Sequence, residues 1–305
     1  MSIAPAGVQV ACVTPFNKSG AIDEGGYRAL LDRFAAARVG GVFLCLVGTG
    51  EAQIMEEREI RRTWEIGVEQ LKGKVPVYAC GIGPMDTRRT IALANEAGAV
   101  GVDGVYVYAP RPLPAPVPQP REVIQAFLDD FLSAVRYPIH LANNPFIIGY
   151  SIPPDMLRHA AATYPHLAGI CNADGDVTYV TRMQDALRGL TGVYEVMPAQ
   201  MLTNLILGGQ GPLSIESNVA PRLVRSVLDA YHAGDLRRAG ESFARVLRLN
   251  QEISKHTNPV GVKAALNLMG LPGGHARAPY ILPSAEAQTH LRRLLDELEI
   301  TRTEA

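Results

Sequence analysis

The chain has 305 residues, 47% of them hydrophobic and 19% charged, with 29 basic against 30 acidic side chains. That length can bury a sizeable core, and so low a charge density excludes a disordered chain. A formal net charge of -1 gives no bulk electrostatic reason to bind nucleic acid or an anionic membrane.

No apolar run reaches the roughly 18 residues that a membrane helix needs. The segment Met1-Ser2-Ile3-Ala4-Pro5 lacks the basic flank and apolar centre of a secretory signal. Cys12, Cys45, Cys80 and Cys171 lie far apart, three of them inside apolar runs. They are expected to be reduced, buried thiols of a cytoplasmic protein and not a disulfide frame.

Short apolar runs rich in β-branched residues alternate with longer segments of helical period. Strands are expected at Val8–Val13, Gly41–Leu46, Val75–Cys80, Gly104–Tyr108, Pro138–Ala142, Leu167–Cys171, Gly192–Met197 and Pro212–Ile215. Between them, Glu24–Ala37, Glu56–Leu71, Thr87–Ala97 and Arg121–Val135 carry apolar residues at i, i+3, i+4 and i+7, as Leu128, Phe131 and Leu132 illustrate. Eight strand-then-helix units imply an α/β fold of the (β/α)8 TIM-barrel type. An open doubly wound sheet would place a glycine-rich phosphate turn after its first strand, but Val13 is followed by Thr14-Pro15-Phe16-Asn17. Beyond Ala220 the pattern is helical only, at Arg222–His232, Leu236–Ser254, Pro259–Met269 and Ala285–Leu298. Residues 1–221 are therefore expected to hold the strands and first seven helices. Residues 222–305 would hold the eighth helix and a C-terminal helical extension of the same domain. The proline-rich loop Pro110 to Pro120 follows the fourth strand, on the face where barrel enzymes do their chemistry.

Several motifs in order carry a resemblance. They are Val13-Thr14-Pro15-Phe16 with Ile22-Asp23, Gly48-Thr49-Gly50-Glu51, Asn143 and Pro145 with Gly149, and Asp174-Gly175-Asp176. Further on come the run Gly208 to Ser214, then Asn218-Val219-Ala220-Pro221, and Asn258-Pro259-Val260 with Val262-Lys263. With these the chain resembles the dihydrodipicolinate synthase/N-acetylneuraminate lyase family from end to end. The resemblance implies a (β/α)8 barrel with three extra C-terminal helices, assembled as a homodimer or a dimer of dimers. It also implies aldol chemistry on 2-oxo acids through a lysine Schiff base.

The departures from that pattern bear on activity. The family's sixth strand ends in Gly-Ile-Lys followed by an acid, whereas this chain has Gly169-Ile170-Cys171-Asn172. Its fifth strand ends in Tyr-Asn-x-Pro, whereas this chain reads Ala142-Asn143-Asn144-Pro145. Ile147 stands where the synthases carry a carboxylate-binding arginine, and Pro110-Arg111-Pro112 replaces a Tyr-Tyr-Asn. Gly48 takes the place of a threonine, while Thr49 survives.

An imine needs a desolvated amine, and the chain has only Lys18, Lys72, Lys74, Lys255 and Lys263. Lys72 and Lys74 flank the turn into the third strand, on the opposite face, while Lys255 and Lys263 belong to the C-terminal extension. Lys18 is expected to be the only one on the catalytic side, and to be solvated between Asn17 and Ser19.

Strand ends supply the remaining candidates. Gly48, Thr49 and Gly50 precede a helix and could bind a carboxylate through backbone N–H groups, or could be plain turn residues. Asn143, Leu213 and Arg111 join them as candidate substrate contacts, Arg111 being either an anion anchor or a surface residue. His140 shares a face with Ala142, one layer deeper. It is either a core histidine or an acid/base group, and Cys171 is either an apolar filler or a thiol activated by His140 or Arg111. Glu195 and Glu216, on the seventh and eighth strands, either divide acid and base roles or face solvent. His140, Cys171 and Glu216 lack a recognised metal-ligand spacing, so neither metal nor cofactor is expected. The expectation is a diverged lyase-family protein that binds a small carboxylate such as a 2-oxo acid. If active, it would be a carbon–carbon or carbon–oxygen lyase working without an imine. The alternative is a catalytically silent barrel serving as a binding or assembly subunit.

Overall fold

Eight parallel strands organise the chain in a computed structural model that describes residues 5–83, 86–111 and 119–301. They are β1 (Gln9–Ala11), β2 (Gly41–Leu44), β3 (Val77–Ile82), β4 (Gly104–Tyr108), β5 (Ile139–Asn143), β6 (Leu167–Asn172), β7 (Gly192–Glu195) and β8 (Gly211–Ser214). They pair in sequence order and close into a barrel. All eight are buried along their whole length, which is why they read as continuous apolar runs and not as alternating ones. The expected (β/α)8 barrel is thus present. β3 starts later than its apolar run because Pro76 has no N–H to give, although its carbonyl accepts from Val42 N at 2.9 Å. β3 then runs on to Ile82 through a register shift at Gly81, whose φ is +83°.

The helices begin where side chains can cap them. Asp23 accepts from Gly26 N before α1 (Glu24–Ala36), and Glu56 and Glu59 form a capping box on α2 (Glu57–Leu71). Asp86 caps α3 (Thr87–Val100), which ends on left-handed Gly101. α4 (Arg121–Ala134) buries Ile124, Phe127, Leu128, Phe131 and Leu132, the apolar stripe read from the sequence. There follow α5 (Pro145–Ile148), α6 (Pro154–Thr163), α7 (Val177–Leu187), α8 (Met201–Ile206) and α9 (Pro221–His232). The C-terminal extension is α10 (Leu236–Ile253), α11 (Val260–Leu268) and α12 (Ala285–Glu297), within a residue or two of the expected bounds. No helix among the described residues is long and apolar enough to cross a membrane.

Contacts within the chain group it into two compact units. One comprises Gly7–Val77 with Ser214–Ala305, and the other the residues up to Ala6 with Tyr78–Leu213. The candidate residues divide between them. Of the proline-rich loop, residues 112–118 lie outside the described residues.

Candidate functional site

In the unit that holds β1, β2 and the C-terminal extension, the backbone after β2 is tightly wound. Cys45 and Glu51 sit in left-handed conformations, φ +59° and +63°, which L side chains rarely adopt. Gly50 is obligatory between them, because a Cβ there would stand 2.3 Å from Leu46 N. Its N–H donates to Leu46 O at 2.9 Å, and its carbonyl accepts from Thr14 Oγ1 at 2.8 Å. Thr49 is 5% exposed, and its hydroxyl accepts from Asn258 Nδ2 at 3.0 Å.

Glu51 is fully buried and forms an ion pair with Lys263 of α11, also fully buried. The Lys263 ammonium donates to His275 O at 3.1 Å and lies 4.3 Å from the centre of the Phe16 ring. Desolvation raises the Glu51 carboxyl and lowers the Lys263 ammonium, and each partner's charge opposes the other's shift. This corrects the expectation that Lys18 alone occupies the catalytic side. Lys18 is exposed as expected, but Lys263 reaches the loop that leaves the end of β2. A lysine inside the apolar helix Val260–Leu268 was the available signal, since lysine is almost never fully buried without a partner.

Glu216 belongs to the same unit. Its carboxylate accepts from Ser214 Oγ and from Asn250 Nδ2, each at 2.6 Å, which ties α10 to the turn after β8. Asn218 in that turn accepts from Val13 N at 3.1 Å and donates to Ala11 O at 2.7 Å, so it stitches β1 to the turn. Arg33 of α1 donates to the carbonyls of Asn218 and Val219 at 2.6 and 2.7 Å.

In the other unit, ring contacts between strands that do not neighbour each other mark the barrel's interior face. His140 of β5 meets Tyr78 of β3 with ring centres 4.5 Å apart, and Tyr194 of β7 at 5.5 Å. Tyr108, Ala142, Cys171 and Tyr194 form one row across β4 to β7, and Tyr106, His140, Gly169 and Gly192 form the next. Large side chains therefore lean over small ones. Gly169 could not carry even a methyl group, because its Cβ would lie 2.8 Å from His140 Nδ1 and 2.9 Å from Tyr194 Cε2.

Cys171 Sγ lies 4.0 Å from His140 Nδ1, and both residues are fully buried. Burial holds the imidazole down at about 3, hence neutral, and pushes the thiol well above its usual range, with the Glu195 charge adding to that rise. This is the opposite of an activated thiolate.

At the ends of β5, β6 and β7 a polar chain runs through Asn172. Asn143 Nδ2 donates to Asn172 Oδ1 at 2.8 Å, and Asn172 Nδ2 donates to Glu195 Oε2 at 3.1 Å. Glu195 Oε1 accepts from Met197 N at 2.9 Å, and Asn143 Oδ1 accepts from Ile152 N at 2.8 Å. Glu195 is 1% exposed and has no cation in this set, so desolvation carries its carboxyl up to about 8.

A family sequence model described as the Dihydrodipicolinate synthetase family matches residues 4–298. The chain belongs to this family. A 4-hydroxy-tetrahydrodipicolinate synthase of Methanopyrus kandleri is 34% identical over 297 residues, covering 96% of each protein. A solved structure described as a monomeric dihydrodipicolinate synthase variant superposes with a TM-score of 0.91 at 27% identity, covering 98% of both chains. The dihydrodipicolinate synthase of Thermotoga maritima gives 0.88 at 28% identity, covering 97% of this chain and 99% of that one.

Within this dihydrodipicolinate synthetase family barrel, the structure brings some sequence candidates together and not others. His140 and Cys171 touch, Asn143 and Glu195 are joined through Asn172, and Gly48, Thr49 and Gly50 share one loop. Leu213 is buried in β8, and Arg111 is exposed just past β4. Among the described residues, no three His, Cys, Asp or Glu side chains gather in a way that could hold a metal ion, so His140, Cys171 and Glu216 form no such set. Sequence reasoning passed over Asn172, which links two candidates, and Tyr106, whose i, i+2 spacing from the strand-end Tyr108 on an apolar strand puts both on one face.

Proposed function

We propose that this family member binds a small carboxylate, a 2-oxo acid, on the loop Gly48–Thr49–Gly50, and acts on it without a lysine imine. What carries the reading is the interior row Tyr108, Ala142, Cys171, Tyr194: an enclosed surface of phenols, a methyl and a neutral thiol, with no amine. Lys263 does not offer a substitute. Its ammonium is enclosed by Glu51, the Phe16 ring and the His275 carbonyl at 0% side-chain exposure, so no carbonyl carbon reaches it. For the same reason the synthase activity named for the relatives is not carried over. The acid/base role falls to Glu195, a carboxylic acid held mostly protonated at neutral pH and able to give up its proton near pH 8. His140 and Cys171 pack the layer beneath, and Glu216 holds α10. Asn143 positions Asn172, which in turn positions Glu195; Leu213 and Arg111 are further substrate contacts in this reading. The protein is read as cytoplasmic and as a homodimer or homotetramer.

The experiment is borohydride reduction in the presence of pyruvate, read by intact mass, together with thermal denaturation against a panel of small 2-oxo acids. The reading expects no covalent mass increase and a raised melting temperature with at least one acid. A pyruvate adduct would return the protein to imine chemistry. No stabilisation by any acid would leave the second reading, a silent barrel used for assembly, which the inert His140–Cys171 pair favours.

A further inference from the structure

The loop proposed to bind carboxylate is held from outside the barrel's strands. Two of its side chains, Thr49 and Glu51, are bound by residues of the C-terminal extension, Asn258 and Lys263. We propose that Asn258 and Lys263 are positioning residues for the carboxylate subsite, so that the extension is part of the binding machinery and not an appendage. The inference rests on the carboxylate reading given above.

Asn258 acts on a proton. A threonine hydroxyl has one hydrogen to give and lone pairs to receive with. Asn258 Nδ2 fills a lone pair of Thr49 Oγ1 at 3.0 Å, so the hydroxyl's own hydrogen must point elsewhere. That leaves Thr49 as an aimed donor, which is what a carboxylate needs and what a freely rotating hydroxyl supplies only part of the time.

Lys263 acts on the backbone. Glu51 occupies a left-handed conformation at φ +63°, a state that persists in a non-glycine residue only where the surroundings impose it. The imposing contact is the buried ion pair, reinforced by the Phe16 ring under the ammonium. Turning Glu51 back to an ordinary conformation would rotate the Gly50–Glu51 peptide, and with it the loop geometry that Gly50 fixes by donating to Leu46 O at 2.9 Å. A left-handed residue pinned by a distant helix, next to an obligatory glycine, is costly geometry to maintain for a plain turn.

The test is a double-mutant cycle on pyruvate affinity, measured by the ligand-dependent melting temperature of the full-length protein. Thr49→Val and Asn258→Ala should each weaken binding, Thr49→Val by about tenfold, the scale of one hydrogen bond to a charged group. The double variant should bind no more weakly than Thr49→Val alone, because Asn258 acts only through the hydroxyl. Additive losses would overturn the proposal for Asn258. For Lys263, the single variant Lys263→Met leaves Glu51 buried without its counter-charge and risks unfolding. The pair Glu51→Gln/Lys263→Met removes both charges, should recover much of the stability, and should still bind pyruvate about tenfold more weakly because the loop is no longer pinned. A stable double variant with wild-type affinity would overturn the proposal for Lys263. If the wild-type protein binds neither pyruvate nor any other small 2-oxo acid, the carboxylate reading itself fails and takes this inference with it.

Discussion

His140 Nδ1 and Cys171 Sγ lie 4.0 Å apart inside the barrel, and burial drives both toward their uncharged forms. The imidazole is held at about 3 when folded, against 6.5 as its ordinary value. An unfolded chain therefore takes up a proton at this site below about pH 6.5 that the folded one refuses. The stability secured by the neutral imidazole is complete above that pH and is lost as the pH falls toward 3. His140→Phe keeps the aromatic packing between Tyr78 and Tyr194 and should flatten the acid limb of melting temperature against pH. Up to about 4 kcal/mol of the limb belongs to this residue. A variant with the wild-type acid limb would show that His140 is already protonated in the fold. In parallel, Cys171 should resist alkylation in the native protein and react only on unfolding.

Glu195 runs the other way. Its folded-state value of about 8 stands above the ordinary 4.5, so the folded protein keeps a proton there that the unfolded chain has lost. Relative stability from this group is complete below about pH 4.5 and declines as the pH rises to about 8. Glu195→Gln keeps the shape and can still accept from Met197 N, but it turns an amide donor toward Asn172 Nδ2, a cost that does not vary with pH. The margin between its melting temperature and that of the wild type should shift in the variant's favour from pH 5 to pH 8. If Glu195 is the proton donor of the proposed chemistry, the same variant should lose at least a hundredfold in turnover, the lower end of what a general acid supplies. A margin independent of pH would mean that the carboxylate is ionised in the fold.

The barrel was legible because its strands are enclosed on both faces: four- to six-residue apolar runs such as Gly41–Leu46 and Leu167–Cys171 leave little else for the backbone to be. Helix ends were legible where a cap or a left-handed glycine set them, as at Asp23 and Gly101. The interior rows were half legible. Alternation puts His140 and Ala142 on one face, but their neighbours across the sheet, Tyr106, Tyr108 and Tyr194, follow from register, which no single strand encodes. The Lys263–Glu51 pair was hidden for a related reason: 212 positions separate them (263 minus 51). Sequence spacing carries no information about a contact of that separation. Only the oddity of a charge in an apolar helix pointed to it.

Gly169 tests the packing of the interior directly. A methyl group there would meet His140 Nδ1 at 2.8 Å and Tyr194 Cε2 at 2.9 Å, closer than unstrained contact allows. Neither ring can retreat freely, since His140 is wedged against Tyr78 and the Tyr194 hydroxyl donates to Pro5 O at 2.9 Å. Gly169→Ala should cost about 1–3 kcal/mol, the range for overpacking a filled core, visible as a lower urea midpoint at unchanged slope. An unchanged midpoint would mean that the row is loosely filled and has room for a ligand.

Returning an amine to the sixth strand is the sharpest test of whether the interior still has space for imine chemistry. Cys171→Lys would place an ammonium between Ala142 and Tyr194 in a fully buried row, where the Glu195 carboxyl, mostly protonated at neutral pH, offers no full counter-charge. The side chain gains volume that Tyr106 and Tyr108 already occupy; their rings meet edge to face with centres 5.2 Å apart, and both are fully enclosed. The variant should therefore lose about 2–5 kcal/mol of stability through overpacking and an ill-paired buried charge. It should also trap no more pyruvate under borohydride than the wild type. Adding Tyr108→Ala should return part of the lost stability by opening space beside Ala142, its partner in register. If Cys171→Lys alone is as stable as the wild type and forms a reducible adduct, the phenols are mobile enough to vacate the barrel. Loss of the amine would then be the only barrier to imine formation.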